Sequence, residues 1–147
     1  MRLNRDWIQR HIPHQGGMCL LDEILEWDPR HIVCRSVTHR DASNPLRAQG
    51  RLAAVCGIEY AAQAMAVHGA LLSGAASRHG YLAGVRAVRL ECARLDDLAG
   101  DLRVQGLCVS GDATSVLYEF SVGSGAITAV AGRAIVVLDA AALARPR

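Results

Sequence analysis

Apolar positions gather into runs along this chain, and the longest run, residues 51–73 (RLAAVCGIEYAAQAMAVHGALLS), repeats with helical spacing. On a wheel of roughly 100° per residue, Leu52, Val55, Cys56, Gln63, Ala66 and Ala70 fall within about 60° of Glu59. The spacing predicts a helix over 51–73 with one carboxylate set in an otherwise apolar stripe. Ala53, Ala54, Gly57, Ala61, Ala62, Ala64, Gly69 and Ala70 keep it slim, so neighbouring backbone can approach on several sides and the helix reads as central and buried. Arg51, Glu59, Gln63 and His68 interrupt the run of about 20 apolar residues that a membrane span needs, and no membrane partner is expected. His68 lies roughly 180° around the helix from Glu59, which suits a tolerated or interfacial histidine better than a partner.

The remaining apolar runs are rich in β-branched residues and bounded by turn chemistry. Residues 19–27 (CLLDEILEW) and 31–38 (HIVCRSVT) read as a hairpin around Asp28-Pro29-Arg30. Segments 81–94, 101–111, 115–123 and 126–139 read as strands joined by the short connections 96–100, 111–114 and 123–125. Residues 4–12 suit a short helix capped by Asn4 or Asp6 and ended by Pro13, and PHQGG and residues 39–50 read as loops. GAASRHG closes the long helix and the tail AALARPR frays. Alternation through Val85–Cys92 is not clean, so these strands are assigned a type but no faces. Asp22 and Glu26 share a face with Ile24, read as the solvated side of the first strand.

The order β-β-α-β-β-β-β implies an α+β fold, one domain over residues 1–147, with an antiparallel sheet wrapped around the long helix. Such a sheet leaves edges that a second copy would bury, so a homodimer or higher homo-oligomer is expected.

Composition narrows the function classes. Hydrophobic residues make up 51% of the 147, enough for a core. A charge of +2 and 4% aromatics give no basic stacking surface for nucleic acid. MRLNRDWIQRHIPHQGG lacks the apolar core of a signal peptide, so a cytoplasmic location is expected. The five cysteines, 19, 34, 56, 92 and 108, are odd in number and show no CxxC spacing, and read as reduced core residues.

Candidate chemistry centres on Glu59. Burial in an apolar stripe raises a carboxyl pKa unless a partner compensates, which prepares it for acid/base work, and Gln63 at i+4 is its nearest polar neighbour. The alternative is that Glu59 only ties down a loop. His14 and His39 are the candidate bases, although His14 could equally stitch its loop to a carbonyl. His31 and His79 sit in turns and read as solvated, while Pro13 breaks the helix that would align His11 with His14 on a metal, so no metal site is expected.

Two stretches go beyond pattern. Ile12-Pro13-His14-Gln15-Gly16-Gly17-Met18-Cys19-Leu20-Leu21-Asp22 resembles the Leu-Pro-His-Arg segment, running into a Leu-Leu-Asp strand, that opens the hotdog-fold 3-hydroxyacyl-acyl carrier protein dehydratases. Gly57-Ile58-Glu59-Tyr60-Ala61-Ala62-Gln63-Ala64-Met65-Ala66 resembles the Glu-Ala-x-Ala-Gln portion of their central helix. The likeness is nearest to the dehydratase-like subgroup of aryl-polyene and related polyketide-type lipid pathways. The sequence departs from the main family where a His-Phe-Pro-Gly segment normally supplies the histidine, since Ser43-Asn44-Pro45-Leu46 stands there.

The resemblance implies a hotdog fold and dehydration of a 3-hydroxyacyl thioester carried on the phosphopantetheine of an acyl carrier protein, with no further cofactor. Elimination needs a base for the C2 proton, an acid for the departing hydroxyl and donors for the thioester oxygen. His14 is the expected base and Glu59, kept protonated, the expected acid, the pair meeting within a chain or across a dimer interface. Gln63 orients Glu59, and backbone N–H groups at the helix start, Arg51 to Ala54, suit the thioester oxygen. Gln63, Gly57, Asn44 and Arg47 are the substrate-binding candidates, the last two for a phosphopantetheine phosphate, although a polar loop feeding a helix explains them equally well. Two other readings share the fold: an acyl-thioester hydrolase using Glu59 alone, and a non-catalytic partner subunit.

Overall fold

The long apolar run does fold as a helix, and a sheet does wrap it. A computed structural model describes residues 3–73 and 80–138. His79, most of GAASRHG and the tail AALARPR lie outside the described residues. The elements in chain order are β1 (Leu3–Asn4), α1 (Arg5–His11), β2 (Glu23–Trp27), β3 (His31–Ser36), α2 (Gly57–Ser73), β4 (Gly80–Leu90), β5 (Leu102–Gly111), β6 (Ser115–Ser124) and β7 (Ile127–Leu138). The strands form one antiparallel sheet in the order β1-β2-β3-β5-β6-β7-β4. This is the hotdog arrangement: α2 lies along one face and packs against β3, β4, β5, β6 and β7. The segment Ala54–Ser73 has the length and composition of a membrane span, but here it is the core helix that the sheet encloses.

Local chemistry explains most boundaries. Asn4 caps α1 by accepting from Trp7 N at 3.3 Å, and Ile12, ahead of Pro13, is extended at φ −123° and ψ 159°. Tyr60, Ala61, Ala64, Met65 and Val67 of α2 meet Leu102 and Val104 of β5 and Tyr118, Phe120 and Val122 of β6 in one core. The small residues matter most at Gly57, where a Cβ would lie 2.5 Å from Val130 Cγ1. Helix and sheet touch there.

Several expectations need correction. The long helix starts at Gly57 after a 3₁₀ turn at Ala54–Cys56, because residues 51–54 are captured elsewhere. Leu52 N donates to Asp96 Oδ1 at 3.0 Å, Ala54 N to Ala93 O at 3.0 Å, and Leu95 N returns to Leu52 O at 2.8 Å. The same capture ends β4 at Leu90 rather than residue 94. The first hairpin strand starts at Glu23, since Cys19, Leu20 and Leu21 dive into the core, and a bulge between Ile24 and Glu26 disrupts its alternation. Asp22 is not merely solvated: it caps Val37 N at 2.8 Å and faces Arg5 at 3.5 Å. Of the cysteines, all free, only Cys19 and Cys34 are fully buried, the latter thiol pushed up to about 12 by burial, while Cys56, Cys92 and Cys108 are half-buried.

Gly57→Ala gains about 1 kcal/mol of helix propensity but overpacks Val130. A net destabilisation of about 1–2 kcal/mol is expected in urea unfolding. A paired Val130→Ala substitution should recover part of the loss; additive losses would show that the close approach is not the cause.

Candidate active site

The site is assembled by the segment between α1 and β2. After Pro13 the chain turns through Gly16, whose φ of +57° favours glycine, into a 3₁₀ turn at Gly16–Met18 closed by Cys19 N donating to Gly16 O at 3.1 Å. Leu20 is then held from both sides. Its N–H donates to Gln63 Oε1 at 2.9 Å, and its carbonyl accepts from Ser36 Oγ at 2.5 Å and Thr38 Oγ1 at 2.8 Å. Gln63 Nε2 donates to Met18 O at 2.8 Å. The fully buried Gln63 carboxamide therefore clamps this loop onto α2 and brings His14 over it.

His14 Nε2 lies 3.2 Å from Glu59 Oε1 in the same chain. Gln63 Nε2 lies 3.5 Å from the same oxygen, so its main hold is on Met18 and its orienting hold on Glu59 is weak. Glu59 is more exposed than His14, with 37% against 27% of the side chain accessible, and His14 Nδ1 is buried without a hydrogen-bond partner. The reachable side of the pair is thus the Glu59 carboxylate and the Nε2 edge of His14.

Glu59 differs from expectation in its charge. The hydrogen bond from His14 holds the carboxyl below its ordinary range, outweighing desolvation, and Gln63 adds to the effect. The stripe is not apolar enough to keep Glu59 protonated; at rest it is a carboxylate.

The other candidates are built into the scaffold. Asn44 is buried, its Nδ2 donating to Thr38 O at 2.9 Å and Tyr60 Oη at 3.0 Å and its Oδ1 accepting from Leu46 N at 2.9 Å. Arg47 is engaged with Asp41 O at 2.8 Å, Gly50 O at 3.2 Å and His39 O at 3.3 Å, which leaves it shaping its own loop instead of awaiting a phosphate. Gly57 serves the helix–sheet contact. The N–H groups of Arg51, Leu52 and Ala54 are spent on Ala48 O, Asp96 and Ala93 O, so they are not free for a thioester oxygen. His39 is fully buried, bonded through Nε2 to Leu98 O at 3.0 Å, and burial pushes its pKa down. His68 is an internal tie: Nε2 donates to Asp28 O at 2.8 Å and Nδ1 accepts from Tyr118 Oη at 2.7 Å. His31 is half-exposed but paired with Asp28 at 2.8 Å and Glu26 at 3.5 Å, which raises its pKa. Among the described residues no cluster of His, Cys, Asp and Glu is arranged to hold a metal.

Sequence reasoning missed Asp96. Its carboxylate, only 6% accessible, is paired with Arg94, lies 3.8 Å from Arg47 and receives Leu52 N, so Arg94 first of all holds its pKa far below the carboxylate range. It fixes the approach to α2, yet within Asp96-Asp97 it reads as an ordinary turn residue. Tyr60, one residue after Glu59, ties Thr38 and Asn44 beneath the site, and its place on the buried side of the wheel was the available signal.

Against this geometry, the family model described as ApeP-like, ApeP dehydratase, matches residues 7–143. The chain belongs to the ApeP-like dehydratases. Among solved structures it is similar to the dehydratase heterocomplex ApeI:P from Xenorhabdus doucetiae, with a TM-score of 0.80, 24% identity, and coverage of 95% of this chain and 97% of that one. It is also similar to a hypothetical thioesterase from Streptococcus pneumoniae solved with coenzyme A, with a TM-score of 0.59, 15% identity, and coverage of 79% and 84%. A mutant thioesterase from Pseudomonas aeruginosa gives a TM-score of 0.53, 11% identity, and coverage of 79% of both chains. These likenesses establish the shared hotdog fold. No curated protein sequence matches significantly.

Two outcomes follow from the clamp and the pair. Gln63→Leu leaves the buried Leu20 N–H unpaired and releases Met18 O, so chemical denaturation should show a loss of about 1–3 kcal/mol. Because the folded-state pKa of Glu59 is depressed, its contribution to stability is present above the ordinary glutamate pKa of about 4.3 and is lost as pH falls through the lower folded value. Acid unfolding of Glu59→Gln should lack that component, and an unchanged acid profile would refute the pairing.

Proposed function

We propose that this ApeP-like chain removes water from 3-hydroxyacyl thioesters carried on the phosphopantetheine of an acyl carrier protein, in the cytoplasm, during aryl-polyene or related polyketide-type lipid synthesis. The 3.2 Å contact between His14 and Glu59 within one chain carries the reading. An ionised Glu59 takes the C2 proton. As the C–O bond breaks and the double bond forms, His14 gives its Nε2 proton to the departing hydroxyl. Return of the proton from Glu59 to His14 across their contact restores both groups. These roles reverse those expected from the sequence, because the hydrogen bond from His14 favours the carboxylate form of Glu59.

A second reading, hydrolysis of an acyl thioester, is favoured by the same ionised, accessible carboxylate, which suits activation of water without His14. As for assembly, ApeI:P is a heterocomplex, and here β4 ends the sheet, which supports association of this chain with a second hotdog chain, its own copy or a related one.

The test supplies a 3-hydroxyacyl carrier protein and a saturated acyl thioester to the protein and follows enoyl absorbance and thiol release. Enoyl formation should fall at least about 100-fold in His14→Ala and in Glu59→Gln, with both variants folded. Thiol release that needs Glu59 but survives His14→Ala would replace dehydration by hydrolysis.

A further inference from the structure

The face of the sheet turned away from α2 carries a feature that the acid–base pair does not use. A hollow of about 840 Å³ spans β3, β5, β6, β7 and β4, and Arg86, Arg89 and Arg133 line it. Arg86 of β4 stands directly opposite Arg133 of β7, so two like charges share a cross-strand position, which destabilises a sheet unless something neutralises them. Glu119, the neighbour of Arg133 on β6, lies 3.3 Å from it and answers one charge. Among the described residues Arg89 reaches only the exposed Glu91, at 3.5 Å. Among the described residues Arg86 has no ion-pair partner. His31 also lines the hollow, but Asp28 at 2.8 Å and Glu26 at 3.5 Å already answer its charge, so the arginines alone supply the positive character.

The backbone is distorted in a way that concentrates this charge. Residues 86 and 89 are an odd number apart and in a regular strand would face opposite sides. A bulge between Arg86 and Arg89 puts both into the hollow, and within it Ala87 adopts φ +52°, an unfavourable value for a residue with a Cβ. The opposing β7 residue, Gly132, has no room for a Cβ, which would lie 3.1 Å from Val88 Cα and 3.2 Å from Arg86 O. Leu107 and Glu119 stand in register between His31 and Arg133, and Gln105 and Ser121 line the hollow in the neighbouring cross-strand row that runs through Ala131 to Arg89.

We propose that this outer hollow is a binding site for an organic phosphate. A phosphate dianion bridging Arg86 and Arg133 answers the like-charge pair, using the guanidinium geometry that matches phosphate oxygens. The volume falls in the ordinary range of roughly 300–1,000 Å³ for small-molecule sites and exceeds a bare phosphate, so an organic body extends over Leu107 toward Gln105 and Ser121. The site is separated from His14 and Glu59 by the sheet and is independent of the proposed reaction.

Inorganic pyrophosphate, titrated calorimetrically into the purified 147-residue chain at low salt, tests it. Saturable binding is expected, weakened at least about tenfold in Arg86→Ala and in Arg133→Ala. Arg103→Ala, which removes an exposed charge on β5 outside the hollow, should leave it unchanged, each variant being checked for an unaltered melting transition. Absence of binding at millimolar pyrophosphate, or equal weakening by Arg103→Ala, overturns the proposal. Binding of a glutamate-rich peptide where pyrophosphate does not bind also overturns it, in favour of an acidic protein partner.

Discussion

One buried carboxamide governs the geometry of this protein's chemistry. Gln63 accepts from Leu20 N and donates to Met18 O, so a single side chain in the middle of α2 ties both polarities of a loop that would otherwise leave the Leu20 N–H unpaired in the core. Ser36 and Thr38 complete the hold from β3 by bonding Leu20 O. His14 lies a few residues before this clamp, and its distance to Glu59 is set by it. A shorter or apolar residue at 63 would leave the same helix and sheet but no reason for the loop to lie there.

The electrostatics follow from that placement. An isolated glutamate half-buried on a helix is pushed toward protonation; one with a histidine nitrogen 3.2 Å away is not. The hydrogen bond prevails over desolvation, so the pair rests with its negative charge on the carboxylate. Glu59 is the more accessible member of the pair, and Nδ1 of His14 is buried. This asymmetry underlies the assignment of base to Glu59 and acid to His14.

Helical spacing made Glu59 and Gln63 legible as neighbours, and the Pro13-His14 segment, through its resemblance to a known family, supplied their partner. The succession of elements along the chain was legible for the same reason, since apolar runs and turn residues are local signals, but the short β1 and the placing of β4 beside β7 at the sheet edge were not. What escaped was non-local. The start of α2 moved from residue 51 to Gly57 because Asp96 and Ala93 capture Leu52 and Ala54 across more than thirty residues of chain. Asn44 and Arg47 have the composition of ligand-binding residues, but their donors are taken by carbonyls that only the folded loop brings near. The irregular alternation of residues 85–92 was a true record of structure, since β4 is bulged at two places and its faces change partway.

Because His14 and Glu59 belong to the same polypeptide, the pair proposed to react is inherited as a unit. Association with another hotdog chain, of either kind, adds walls and edges around a pair that is already complete. Any surface used for assembly is therefore free to diverge, and a partner could be exchanged over evolutionary time, without breaking the hydrogen bond between His14 and Glu59. A gene duplication that altered only the sheet edge would yield two chains with different pairing preferences and the same His14–Glu59 contact.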